Sequence, residues 1–260
     1  METGERPVVE TFEEMSSLMI ETYKLCKTYT EGKEVLDVGC GEGEQDLFLS
    51  DTVKHIHAID YDGKVILKNK NKFSEIKSIT FHHMSGEKID FPDNMFDVVI
   101  SAQSIEHIKE DDQFVRETHR VLKHGGIFIC TTPNKLALIP EGEKEYDAPI
   151  YPFHFREYKP DRFFGLLKQY FADVEKNCFY CPIGNPPPNN HPRIKFIYRI
   201  SRFRLVKWVA RNLPVKIKQG IGFFGTGKLK EAIKIDYGTA YGPYSDELVP
   251  HNLCAICKKL

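Results

Sequence analysis

Short apolar blocks recur along the chain, separated by glycines and polar turns. EVLDVG (34–39) is an apolar run flowing into glycines, the pattern of a buried parallel strand. HIHAID (55–60), SITFHH (78–83), FDVVIS (96–101) and GIFICTT (126–132) read as strands two to five. A helix is expected over about 111–123 and another over DRFFGLLKQYF (161–171), with ADVEKNCFYC (172–181) as strand six and NLCAICKK (252–259) as the last strand. An amphipathic helix is expected over 11–30: Thr11 and Glu14 have capping-box spacing, and Gly32 ends it. Strands alternating with helices mean a mostly parallel sheet covered on both faces, a doubly wound α/β fold.

Strands six and seven are separated by about 70 residues, far more than an ordinary connection. The segment opens on the breaker GNPPPNNHP (184–192). It is expected as an inserted lid or subdomain over 183–249, with the main domain formed by 1–182 and 250–260. Composition sharpens this picture. The net charge is −1, yet residues 189–230 carry eleven Lys or Arg and no acid, leaving 25 basic against 37 acidic residues elsewhere. Wound as a helix, Arg193 to Arg211 puts Ile194, Ile197, Tyr198, Leu205, Trp208 and Val209 on one charge-free arc flanked by cations. Two readings fit: a helix lying on an anionic membrane surface through residues 193–218, or a lid helix packed on the core. No run of 18 uncharged apolar residues occurs, the start METGERPVVETFEE is polar, and seven cysteines suit a reducing compartment. The expected location is cytoplasmic, or peripheral at the membrane.

The densest chemistry lies in VLDVGCGEGE (35–44), where a strand ends in Asp37 and Gly39, Gly41 and Gly43 follow. Such glycines let the backbone turn tightly and a ligand lie directly on it, with the next helix N-terminus beyond. The third glycine of a G-x-G-x-x-G fingerprint would fall at Glu44, so the spacing is not that of a nicotinamide site. Asp60 closes strand two, where an acid can accept hydrogen bonds from ribose hydroxyls.

With these residues the chain resembles the class I S-adenosylmethionine-dependent methyltransferases, over roughly 1–182 and 250–260. DFPDNMFDVVIS (90–101), SIEHI (104–108), FVRETHRVLKHGGIFICTTPN (114–134) and FHFREY (153–158) are similar to the family's segments and stand in its order. The resemblance implies a seven-stranded Rossmann-like sheet with the last strand antiparallel, and S-adenosylmethionine as cofactor. It implies that Asp37, Gly39, Gly41 and Gly43 cradle the methionine and ribose parts, Asp60 holds the ribose hydroxyls and Tyr61 lies against the adenine. Ser85 and Gly86 stand where many relatives have Asp-Ala at the adenine amine. Ser101 and Gln103 are placed near the reactive methyl, and Cys40 is a small packing residue.

A hydroxyl acceptor needs a base. His107, just after strand four, and His154, in FHFREY, are the candidates, with Glu106 or Glu157 to orient one of them. No metal is expected, because Gln103 takes a place where a carboxylate would help to bind one. NPP (185–187) is read as a turn, and CFYC (178–181) with CAIC (254–257) as strand cysteines, since positions i and i+3 of a strand point to opposite faces. GERPVVETF (4–12) and FHFREY are also similar to methyltransferases of glycan and polysaccharide assembly, although Pro7 departs from their pattern. The expected function is O-methylation of a sugar or other small hydroxyl or carboxyl acceptor, lipid- or nucleotide-linked. Methylation of RNA, which is disfavoured for want of an RNA-binding module, and non-catalytic cofactor binding as an assembly partner are the alternatives.

Overall fold

The computed structural model describes residues 17–139, 145, 148–151, 153–180, 240–244 and 250–260. The start of the expected first helix, its capping box and nearly all of the expected insertion, with its basic helix, lie outside the described residues.

The elements are α1 (Ser17–Thr30), β1 (Glu34–Val38), α2 (Glu44–Leu49), β2 (His55–Asp60), α3 (Gly63–Lys72), β3 (Ile79–His83), β4 (Phe96–Ala102), α4 (Asp111–Val121), β5 (Leu122–Pro133), α5 (Lys135–Leu138), α6 (Pro160–Leu167), β6 (Asp173–Tyr180), β7 (Ala240–Pro243) and β8 (Asn252–Lys258). They form one sheet in the order β3-β2-β1-β4-β5-β8-β6-β7. The pairs β1–β2, β1–β4, β2–β3 and β4–β5 are parallel. β8 runs antiparallel to both β5 and β6. The expected seven strands are thus corrected to eight, because residues 240–243, counted above with the insertion, pair antiparallel with β6.

Alternation along the strands builds two cores. Leu36 and Val38 of β1, Val99 of β4, Phe128 of β5 and Leu253 of β8 face a core that includes Phe114 of α4 and Phe163 of α6. Val35, Val98, Ile100 and Ile129 face the other, with Tyr23 and Cys26 of α1. A period of two on strands buried on both faces leaves near-continuous apolar runs, which is why the strands read so clearly. The strand cysteines behave as packing residues: Cys257 lies in the first core, and burial pushes the thiols of Cys254 and Cys257 well above their ordinary value.

Two polar features stabilise the end of the sheet remote from the glycine loop. Lys259 is buried, and its ammonium donates to Asn94 Oδ1 (2.9 Å) and to the carbonyls of His119 (2.8 Å) and Leu122 (2.7 Å). It therefore caps the C-terminal end of α4 with a positive charge, where the helix dipole favours one. Across β1, β2 and β3, His57 Nδ1 lies 3.1 Å from His82 Nε2, and His57 Nε2 lies 3.2 Å from Glu34 Oε1. Neutral rings satisfy both bonds, with His82 donating to His57 and His57 donating to Glu34.

Replacing Lys259 by Met should leave those carbonyls without their donor and lower stability by about 2 kcal/mol, read from urea unfolding. Burial, then the charges of His57 and Lys70, lowers the His82 pKa from 6.5 to about 4. As pH falls, the unfolded chain therefore takes up this proton before the folded chain does. This contribution is intact above pH 6.5 and declines towards pH 4. A pH series of unfolding curves should show that decline, and H82F should flatten it.

Candidate functional site

The site is built on the C-terminal ends of β1, β2, β4 and β5, the edge where open α/β sheets bind ligands. Gly39, Gly41 and Gly43 have φ of 85°, 54° and 80°, a left-handed backbone that only glycine adopts cheaply. They serve different ends. A Cβ on Gly39 would lie 2.2 Å from Ser104 Oγ, so this glycine lets the turn after β4 press against the loop. A Cβ on Gly43 would meet Phe73 and Phe81 at 3.0 Å, so this one is required by packing. The side-chain direction of Gly41 meets nothing within 4 Å, and there a ligand can approach the backbone.

The loop is tied down from below and behind. Gly39 and Cys40 donate their N–H groups to the Ile59 carbonyl (2.8 and 3.0 Å). Asp60, nearly buried, accepts from the backbone N–H of Gly41 (3.1 Å) on one oxygen and of Asp62 (2.9 Å) on the other. The Asn69 amide donates to the Gly41 carbonyl (2.7 Å), and that of Gln45 to the Cys40 carbonyl. The Tyr61 ring beside them is exposed.

Beneath the loop sits a pair of acids. Asp37 and Asp46 are both fully buried, and the Tyr23 hydroxyl donates to Asp37 Oδ2 at 2.8 Å. Two carboxylates cannot both be ionised there. Burial, then the charge of Asp37, pushes Asp46 well up, so Asp46 keeps its proton and donates it to Asp37. Burial raises Asp37 to about 6, against the hydrogen bonds from Asp46 and Tyr23 that favour its charge. Asp46, in the first turn of α2, has no periodicity or motif to mark it in the sequence.

The second half of the site comes from two segments that meet. At the end of β4, Gln103 has a φ of 55°, and its amide donates to Thr131 Oγ1 of β5 (3.0 Å). The left-handed residue turns the chain into a short 3-10 helix, Ile105–His107, that carries Glu106 and His107. From the other side, FHFREY crosses this turn. The Phe155 N–H donates to the Glu106 carbonyl (2.9 Å), and the Arg156 guanidinium donates to the carbonyls of Ile108 (2.6 Å) and Lys109. The Tyr158 hydroxyl and Arg156 Nε both reach Asp111, at 2.9 and 3.3 Å.

This brace brings His154 to His107, with ring centroids 4.8 Å apart and edge to face. Glu106 is buried and accepts from Thr132 Oγ1 (3.0 Å); burial raises its pKa, opposed by the charge of His154. Glu157, also buried, accepts from the N–H groups of Ile150 (2.8 Å) and Tyr151 (2.9 Å) and lies 3.3 Å from His154 Nδ1. Of the two carboxylates, Glu157 thus lies near His154 Nδ1, and Glu106 places an oxygen within 4.8 Å of a ring nitrogen of each histidine.

Three further residues expected at the cofactor are placed as follows. Ser101 is completely buried in β4, cross-strand from Cys130, because both faces of that strand are covered; Gln103 is the residue that reaches the edge. The side-chain direction of Gly86 is filled by Val38, Phe114 and Ile108 at 3.0–3.2 Å, so packing accounts for this glycine and only its backbone faces elsewhere. The Ser85 hydroxyl accepts from the Glu87 N–H (3.2 Å).

The shared proton predicts how position 46 responds. D46N keeps a donor for Asp37 and should stay within about 1 kcal/mol of the parent. D46L leaves the buried Asp37 without the proton of Asp46 and with Tyr23 still donating to it, and should lose about 2 kcal/mol. Equal losses in denaturant melts would refute the shared proton.

Residues 36–130 match a family described as a methyltransferase domain. A Mycolicibacterium smegmatis protein named "Probable S-adenosylmethionine-dependent methyltransferase" is 33% identical over 144 residues, 55% of this chain and 53% of that protein. The chain spans about half the length of the first such curated relatives. A demethylmenaquinone methyltransferase of Listeria monocytogenes is 29% identical over 200 residues, 74% of this chain and 78% of that protein. Among solved structures, the cyclase SpnF aligns with a TM-score of 0.59 at 18% identity, over 98% of this chain and 86% of that one. The PH0226 protein of Pyrococcus horikoshii aligns with a TM-score of 0.52 at 26% identity, over 67% and 90%. The open face at Gly41, the exposed Tyr61 ring and the buried acids suit a cationic nucleoside. Over residues 36–130 the chain is similar to a methyltransferase domain, and the family and fold that it resembles imply S-adenosylmethionine as cofactor.

Proposed function

We propose that the chain transfers a methyl group from S-adenosylmethionine to a hydroxyl oxygen of a small acceptor held at Glu106, His107 and His154. One observation carries this reading. The turn with Glu106 and His107 packs against the glycine loop through Ser104 and Gly39, so a proton-accepting cluster adjoins the cofactor loop. S-adenosylmethionine supplies an activated methyl on a sulfonium, so placement of the two reactants accounts for much of the rate. The chain's own residues do the rest. Gly41 leaves room for the donor against the backbone, Asp60 and Tyr61 flank its nucleoside end, and the imidazole pair takes the acceptor's proton. Glu157 lies 3.3 Å from Nδ1 of His154, beside the pair. The brace from Arg156 and Tyr158 to Asp111 fixes the distance between the two halves.

For the acceptor we favour a sugar or another small hydroxyl or carboxyl compound, linked to a lipid or nucleotide. The basic stretch 193–218 is then assigned to the phosphate or membrane side of that acceptor. A second reading has an observation in its favour. Tyr151 and Phe155, beside the histidines, are exposed rings, and a Listeria relative is named for demethylmenaquinone, so a lipophilic ring acceptor also fits. Among the described residues no helix is long and apolar enough to cross a membrane.

Incubating the chain with methyl-labelled S-adenosylmethionine and cell extract, then separating lipid, sugar-nucleotide, RNA and protein fractions, tests the acceptor. Label in the sugar-nucleotide or lipid-linked sugar fraction supports the favoured reading, and label in a quinone fraction supports the second. Label in RNA alone overturns both. Replacing His107 and His154 together by Ala should lower turnover at least about 100-fold, with cofactor affinity kept within about threefold. Unchanged turnover would remove the imidazoles from the mechanism.

A further inference from the structure

We infer that Glu106, His107 and His154 form a binding site for a divalent transition-metal ion. The inference rests on the reading of this cluster as the acceptor site and gives it a second component. One ligand atom from each of the three side chains lies within 4.8 Å of the other two. Metal–nitrogen and metal–oxygen bonds of about 2.1 Å put any two ligands at most ~4.2 Å apart. Small side-chain rotations close the difference. The three come from two segments, the turn after β4 and the loop after β5, and the braces from Phe155 and Arg156 hold those segments together. Convergence is thus built by the fold and does not rest on neighbours along one helix.

Two further features point to an ion. Glu157 stands 3.3 Å from Nδ1 of His154 and is itself fixed by the N–H groups of Ile150 and Tyr151, so a second carboxyl lies beside the cluster. A carboxylate behind a histidine is the usual support of a metal ligand, setting the tautomer and aiming the ring. Thr132 does the same for Glu106. His107 is only partly buried while the other two ligands are buried, so an ion and an acceptor oxygen have one side of entry. Two imidazoles and one carboxylate suit zinc, manganese or iron(II) better than magnesium, which prefers an all-oxygen shell.

With an ion in place the histidines act as ligands, which replaces the role of proton acceptor proposed for them above. The acceptor hydroxyl coordinates beside them and loses its proton to solvent more readily. The oxygen then forms the new bond to the methyl carbon as the carbon–sulfur bond breaks, leaving S-adenosylhomocysteine. Three side chains leave positions for that oxygen and for water, as catalytic sites require.

The test uses the full chain, stripped with chelator and titrated separately with Zn2+, Mn2+ and Mg2+ by calorimetry, with bound metal counted by elemental analysis. One Zn2+ or Mn2+ per chain at micromolar affinity is expected, with Mg2+ much weaker. E157Q, which touches no ion, should weaken binding by about 10–100-fold. E106Q, close to isosteric, should weaken it at least as much. H82Q, at the remote histidine pair, should leave it unchanged. Absence of stoichiometric binding, or binding indifferent to E106Q and E157Q, overturns the proposal. S-adenosylmethionine affinity is measured on the same samples. Loss of metal with retained cofactor and turnover sinks only the metal site, whereas metal binding without any methyl transfer sinks the functional reading and leaves the site standing.

Discussion

The close approach of two backbone turns governs this site. Gly39 lies so near Ser104 that any side chain there would collide with it, and Gly39 itself is held to the Ile59 carbonyl of β2. The cofactor loop, the end of β2 and the turn after β4 are therefore one rigid piece. The turn is fixed in its own right by the left-handed Gln103, whose amide bonds Thr131 on the neighbouring strand. A strained backbone at a functional edge persists only where its surroundings over-determine it. Here the surroundings are β5 on one side and the FHFREY segment on the other.

Charge is the second theme. Asp37, Asp46, Asp60, Glu106 and Glu157 are all buried along one edge of the sheet. Desolvating five carboxyls is costly unless each is paired or protonated. Asp60 and Glu157 meet the cost with backbone N–H groups, Asp37 with Tyr23 and the proton of Asp46, and Glu106 with Thr132. What remains is a region of negative potential in which a sulfonium or a metal cation is more welcome than an anion. The same field explains why Asp46 is an acid that holds its proton: its partner is already charged.

The fold was legible because the central strands β1 and β4 are buried on both faces and end in turns, so apolar runs and glycines marked them along the chain. Asp60 was legible too, since an acid closing the second strand is placed by topology. Less visible was what each glycine does. Gly39, Gly41 and Gly43 look alike in sequence, yet one makes room for Ser104, one packs on aromatic rings and one faces open space. Asp46 and the meeting of His154 with His107 depend on contacts between residues distant along the chain, which no local pattern records. The strand at 240–243 escaped notice for a similar reason, because an edge strand paired on one side needs no apolar run to mark it.

The fold does not choose the reaction. A cyclase shares this architecture at 18% identity, so the fold is compatible with chemistry other than methyl transfer. The choice must lie in what faces the reacting atoms. In the function proposed above those groups are an imidazole pair and a carboxyl, brought together by one segment, FHFREY, that performs four tasks. Phe155 bonds the Glu106 backbone, His154 joins His107, Arg156 and Tyr158 lock Asp111, and Glu157 stands behind His154. A motif whose residues all converge on a neighbouring turn serves to place that turn. Its placement beside the glycine loop is the feature on which the proposed proton-losing acceptor rests.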